Sequence, residues 1–285
     1  MEGCKPISYL ESFTLGDIAY DLRAKDVMQY GVISVERTAP LHRAVSLLLE
    51  KNISGLAVTH EGRIDGIIAD KDLLILLNES DYLPGLVEDY MTPYVVSFQV
   101  EDRLADICQC LIDNYFRRVP ILYQNSLAGM MTRSDLLTAF LKRCRQLVPE
   151  KCPSSDEKVL RAENVMTYGL HTLYPESSLL SAIETIVRHH ITGIPIVNRQ
   201  WDLVGIITEK DLLLGISSPN VIEASVADFM TRNVITFERQ APLHDVCNCL
   251  IDHEFHRVPI VDQNKLVGLI SRSDILKARI ASFRI

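Results

Sequence analysis

Four methionines, Met28, Met91, Met166 and Met230, are followed by four aspartates, Asp72, Asp135, Asp211 and Asp274, after 44, 44, 45 and 44 residues. A spacing kept four times marks a repeat protein, and units this short bury too little surface to stand alone. A second period lies above the first. Shifting the chain by 139 residues places Cys108–Ile121 on Cys247–Ile260, with ten of the fourteen positions identical. The repeats therefore run ABAB: one pair of unlike units, duplicated. The expected divisions are an N-terminal segment 1–23, repeats at 24–80, 87–143, 162–217 and 226–282, and a linker at 144–161. That linker is polar and carries Pro149 and Pro153, and shorter joints contain Pro84 and Pro219.

Within a repeat the pattern predicts β-α-β-β-α. In the first, Val32, Ile33 and Val35 form a short strand and Pro40 opens a helix. Leu41, Ala44, Val45 and Leu48 make its buried stripe. The β-rich runs Leu56–Thr59 and Ile64–Ile68 flank a Glu61-Gly62 turn, giving a hairpin or adjacent strands. A closing helix runs from about Asp70 through Leu77. The fold class is α/β, with four such repeats packed as two paired modules.

Composition narrows the function classes. With 47% apolar and 23% charged residues the chain is globular, and 29 basic against 37 acidic residues give a net charge of −8. No excess of Lys and Arg is available for a nucleic-acid backbone, although a local basic pocket is still open. The densest apolar run, Leu73–Leu77, is too short for a bilayer, and the first residues lack a secretory layout. Seven cysteines, an odd number spread over a large chain, fit a reducing compartment. A cytoplasmic protein without membrane or nucleic-acid partners is expected.

Met-Thr near the repeat start, the Val-Pro-Ile strand, Gly-Ile-Ile or a variant, and Thr/Ser-x-x-Asp at the last helix resemble the cystathionine β-synthase (CBS) domain. The resemblance extends from about residue 24 to 281. The four-repeat layout is similar to the gamma subunit of AMP-activated protein kinase and to stand-alone prokaryotic tandem-CBS proteins. It implies that paired repeats form modules whose clefts bind adenine nucleotides or adenosyl ligands.

The candidate site rests on Ala69-Asp-Lys-Asp72, Thr132-Arg-Ser-Asp135, Thr208-Glu-Lys-Asp211 and Ser271-Arg-Ser-Asp274. Each lies where a strand enters a helix. The free N–H groups there favour an anion, and an aspartate on the same rim can accept both hydroxyls of a ribose. Ser/Thr-x-x-acid is equally a helix-capping box that needs no ligand. Before the middle strand, the B repeats carry Arg117-Arg118 and His256-Arg257, suited to phosphate, while the A repeats carry Ser54-Gly55 and Thr192-Gly193, which leave room beside the backbone. The pair His256-Arg257 resembles the family's phosphate-contacting His-Arg pair. Stems of surface arginines lying over a core edge would give the same pattern.

The expected ligand contacts are Thr132, Arg133, Asp135, Arg117, Arg118, Thr208, Lys210, Asp211, Ser271, Arg272, Asp274, His256, Arg257 and Asp72. Val95–Ser97 and Val234–Thr236, on the first strands, are plausible walls for an adenine. Repeat one departs from the pattern through Ala57 and Ala69, and repeat three depends on a neighbour for positive charge. The pairs Cys108/Cys110 and Cys247/Cys249 fall in helices, where i and i+2 diverge, and read as packing residues rather than metal ligands. His189-His190 reads as an exposed helix end. Neither a Walker-type phosphate loop nor a catalytic constellation is visible. The expectation is a non-catalytic sensor with no covalent cofactor and with AMP, ADP, ATP or an adenosyl compound as regulatory ligand. It would signal to a second copy or an effector protein. An interaction scaffold with degenerate clefts is the alternative.

Overall fold

The computed structural model describes residues 21–79, 84–147, 160–216 and 224–281. Most of the expected N-terminal segment and linker, and the joint at Pro219, lie outside them. In chain order the first repeat comprises a 3-10 turn Ala24–Asp26, β1 (Ser34–Glu36), α1 (Leu41–Glu50), β2 (Gly55–His60), β3 (Arg63–Ala69) and α2 (Asp70–Glu79). The second contains a turn Val87–Asp89, β4 (Thr92–Pro93), β5 (Phe98–Gln99), α3 (Leu104–Asp113), β6 (Arg118–Tyr123), β7 (Ser126–Thr132) and α4 (Arg133–Leu147). The third contains a turn Ala162–Asn164, α5 (Leu179–His189), β8 (Gly193–Val197), β9 (Leu203–Thr208) and α6 (Glu209–Ile216). The fourth contains α7 (Val226–Phe229), β10 (Phe237–Glu238), α8 (Leu243–Asp252), β11 (Arg257–Asp262), β12 (Lys265–Ser271) and α9 (Arg272–Ala281).

Local chemistry fixes each hairpin. The β2–β3 turn needs positive φ twice, met by Glu61 (50°) and Gly62 (77°), and Gln124-Asn125 and Gln263-Asn264 repeat it in the B units. On α1 the buried face is Leu41, Ala44, Leu47 and Leu48, so Leu47 takes the place expected of the half-buried Val45. The parallel first strand starts later than the apolar runs suggest. Sheet bonding begins at Ser34, Phe98 and Phe237, leaving Val32-Ile33, Val95–Ser97 and Val234–Thr236 outside the strands. In repeat three it shrinks to a single bridge, Leu173 to Ile196.

The reason is an exchange between neighbours. The start of each repeat is hydrogen-bonded to its module partner, and only then does the chain cross to its own sheet. Ala24 N–H donates to Asp102 O at 2.9 Å, and Val87 N–H donates to Ala39 O at 2.9 Å in return. In the second module, Ala162 N–H donates to Ala241 O and Val226 N–H to Ser177 O. The four methionines finish the exchange. Met28 seats on Gly129, Met91 on Gly66, Met166 on Gly268 and Met230 on Gly205. A Cβ on Gly129 would lie 2.6 Å from the Met28 sulfur, so the socket accepts only glycine. Repeated Met and repeated Gly are thus two halves of one contact.

The modules are joined by their closing helices. The pairs Leu73-Leu74, Leu136-Leu137, Leu212-Leu213 and Ile275-Leu276, each directly after its aspartate, are all buried. One apolar core combines repeats one and three, where α2 meets α5 and α6. The other combines repeats two and four, where α4 meets α9. Cys108 and Cys247 are buried in this second core beside Leu111 and Leu250, as packing residues. At about 1.5–3 kcal/mol for each large apolar side chain removed from water, these pairs hold the two modules face to face.

Candidate functional site at the centre of the four repeats

Burying the two residues after each aspartate turns the four helix starts toward one another. The second tetrapeptide position is acidic in the A repeats (Asp70, Glu209) and basic in the B repeats (Arg133, Arg272). The two B arginines cross between modules. Arg133 donates to Ser273 Oγ at 2.5 Å and to Leu111 O at 2.9 Å, while Arg272 donates to Ser134 Oγ and to Leu250 O at 2.7 Å. Both carbonyls belong to the last turns of α3 and α8, where a cation is favoured. Each guanidinium keeps a buried Nε without a partner. The flanking A repeats cross as well: Lys71 Nζ lies 2.7 Å from His190 Nδ1, and Lys210 bonds Asn52.

Arg118 and Arg257 point inward, to their own modules. Arg118 donates to Gly55 O at 2.7 Å and to Ser54 Oγ at 2.5 Å, and Arg257 donates to Gly193 O at 3.3 Å and to Thr192 Oγ1. The space beside Gly55 and Gly193 therefore holds a guanidinium: a Cβ at either glycine would lie 2.8 Å from it. The sequence suggested room for a ligand there. It also suggested that a phosphorylated ligand in repeat three would depend on charge from a neighbour; Arg257 of repeat four is bonded to Thr192 and Gly193 of that repeat. Burial lowers both arginines to about 10, so they stay cationic at neutral pH.

Arg117 completes the cluster with an ion pair to Glu209, Nη1 to Oε2 at 2.6 Å, across the modules. Asp70 and Glu209 are each only 3% exposed, and Glu209 Oε1 is buried without a partner. Desolvation, then the charge of Glu209, pushes Asp70 from 3.8 up to about 7. His256 offers much of its surface to solvent yet stands in a recess among guanidiniums. Desolvation there, then Arg272, Arg257, Arg117 and Arg118, lowers its imidazole to about 4. It is a neutral hydrogen-bonding group at physiological pH, not a cation. The centre thus gathers five guanidiniums around the buried carboxyls of Asp70 and Glu209, with the rim carboxyls of Asp135 and Asp274 close enough to act on Arg118, Arg133, Arg257 and Arg272.

The four rim aspartates share one arrangement. Asp135 Oδ2 accepts from Thr132 N–H and Oγ1 at 2.7 Å, and Asp211 with Thr208 and Asp274 with Ser271 repeat this. The hydroxyl returns a contact to the aspartate N–H at 3.3–3.4 Å, completing the capping box. In repeat one only Ala69 N–H to Asp72 Oδ2, at 2.8 Å, is left. One oxygen of every rim aspartate is therefore structural. Among the described residues, Oδ1 of Asp72, Asp211 and Asp274 forms no hydrogen bond, whereas Oδ1 of Asp135 accepts from Gln29 Nε2 at 2.9 Å. Desolvation raises both Asp72 and Asp211 above the ordinary carboxylate range.

The sequence reading missed Asp70, Glu209, Gln29, Lys71, Asn52 and His190. The acid–base alternation at the second tetrapeptide position, and Gln29 where the other repeats have Thr92, Thr167 and Thr231, were the available signals. His189 is an exposed helix end as expected, but the ring of His171 stacks on it at 3.6 Å.

The family profile of the CBS domain matches residues 24–79, 87–142, 162–218 and 226–281. The chain belongs to the CBS domain family. Protein MJ1225 of Methanocaldococcus jannaschii is 25% identical over 190 residues, 66% of this chain and 68% of that protein. Its crystal structure superimposes with a TM-score of 0.80 at 20% identity, covering 90% of this chain and 99% of that one. CBSX1 of Arabidopsis thaliana is 29% identical over 138 residues, 38% of this chain and 58% of its own length. Inosine-5'-monophosphate dehydrogenase of Aquifex aeolicus is 30% identical over 137 residues, only 28% of the enzyme. Among the described residues no helix is long and apolar enough to cross a membrane.

Proposed function

We propose that this protein is a non-catalytic sensor whose clefts bind an adenine nucleotide or adenosyl ligand, and that occupancy is read by a second copy or an effector in the cytoplasm. The observation that carries the reading is the convergence of five guanidiniums of the two B repeats on the centre where the four helix starts and their rim aspartates meet. Such a centre can hold phosphate through its guanidiniums, aided by the positive ends of the helix dipoles. The free Oδ1 of Asp72, Asp211 and Asp274 at the rim suits a ribose diol, which donates two hydrogen bonds. Thr132, Thr208 and Ser271 hold the rim, while Arg118, Arg257, Arg133 and Arg272 supply charge.

Signalling follows from the crossing contacts. Arg133 and Arg272 each reach into the other module, so a phosphate held by one of them and by a residue of its own module prefers one relative arrangement. A ligand acts on a partner only through such a preference. The scaffold alternative draws on one observation, that Arg118 and Arg257 are already bonded to their own chain. Calorimetry and thermal shift with AMP, ADP, ATP and S-adenosylmethionine separate the two. Binding of at least one ligand, lost on Arg272→Met at constant fold, is expected. No heat and no shift for any of them overturns the sensor in favour of the scaffold.

A further inference from the structure

The four clefts share one plan, and the residue that faces the rim aspartate from the module partner differs in one of them. The exchanged segments pair at equivalent registers: Gln29 with Met130, Thr92 with Ile67, Thr167 with Leu269 and Thr231 with Ile206. In each case the rim aspartate follows five residues after the paired residue. Every rim aspartate is thus overlooked by one residue from the start of its module partner, and that residue is threonine three times and glutamine once. Only Gln29 is long enough to use its position this way. Its Nε2 donates to Asp135 Oδ1 at 2.9 Å while Thr132 occupies Oδ2, so both oxygens of Asp135 are engaged by the chain itself.

We propose that Gln29 is a built-in competitor that makes the Asp135 cleft the weak site of the four, giving the protein graded rather than uniform occupancy. This rests on the nucleotide reading above. A ribose diol entering there must displace the Gln29 amide before it can donate to Oδ1, whereas at Asp72, Asp211 and Asp274 none of the described residues holds that oxygen. The exchange of one hydrogen bond for another at a partly exposed site corresponds to about three- to tenfold in affinity.

The test is calorimetric titration of the full chain with AMP. Gln29→Thr is expected to tighten the weakest site about three- to tenfold or add one measurable site, and Gln29→Ala serves as a second variant in case Thr alters the local pairing. Thr167→Gln, which places the same amide over Asp274, is expected to weaken one site by a similar factor. In an Asp135→Asn background the Gln29→Thr effect should vanish. Wild-type binding that neither Gln29 variant changes overturns the inference and leaves the nucleotide reading standing. Absence of binding in the wild type and every variant overturns both.

Discussion

Two corners of the central cluster are related by the internal duplication and differ in the pair of side chains each holds. At one, Arg117 of repeat two meets Glu209 of repeat three in an ion pair of 2.6 Å. At the other, the equivalent residues are His256 of repeat four and Asp70 of repeat one, and they form no ion pair. His256 is lowered to about 4 and Asp70 raised to about 7, so near neutral pH the imidazole is uncharged and the carboxyl is about half protonated. The backbone is the same at both corners. What the difference teaches is that the same buried position can be handled in two ways: a guanidinium opposite the acid gives an ion pair, whereas an imidazole gives none and Asp70 is shifted upward.

That contrast can be broken in decreasing order of effect. Removing the charged corner with Arg117→Ala leaves the Glu209 carboxylate buried and unpaired. It should destabilise the fold by about 3 kcal/mol, the low end for a buried pair because Arg117 is itself one-third exposed, as read from the urea midpoint. Removing the acid at the other corner should act in the opposite direction. Because Asp70 is raised from 3.8 to about 7, the folded state holds a proton there that the unfolded chain releases. The contribution of Asp70 to stability is thus most favourable below about pH 4 and declines as pH climbs to about 7. Asp70→Asn should flatten stability across that window and raise it by about 2 kcal/mol at pH 8. Unchanged pH dependence in the variant would show Asp70 to be ionised throughout.

Making the corners alike is the sharper experiment. His256→Arg opposite Asp70 should restore an ionised pair and move the Asp70 titration, followed by carboxyl NMR, below pH 6. The accompanying stability change should be small, about 1 kcal/mol or less, since the desolvation of both groups offsets their attraction. A titration still centred near 7 would mean that burial and the charge of Glu209, rather than the occupant of position 256, govern Asp70.

Much of this was legible in the chain. The four repeats, their hairpins and closing helices follow from short-range patterns that a sequence carries locally, such as the Glu61-Gly62 turn and the apolar pairs after each aspartate. The capping geometry of Thr132 with Asp135 was also readable, because both partners lie within four residues. What was not legible depends on the neighbouring repeat. Val95–Ser97 has the composition of a strand but bridges two sheets, and nothing within those residues says so. Arg118 stands out in the sequence as a candidate charge for a cleft, yet its destination, Gly55 in another repeat, is set by the docking of two units. The alternation of Asp70, Arg133, Glu209 and Arg272 gains meaning only once all four helix starts share a centre.

The methionine that leaves each repeat to fill a glycine socket in its neighbour bears on the ancestry of the chain. A solitary repeat would carry an empty socket and an unanchored leading segment, two defects that a companion repeat removes because each carries both a methionine and a glycine socket. A gene doubling that copied the couple whole yields the 139-residue echo, and the unlike partners within each half could then diverge while each kept its counterpart's missing piece.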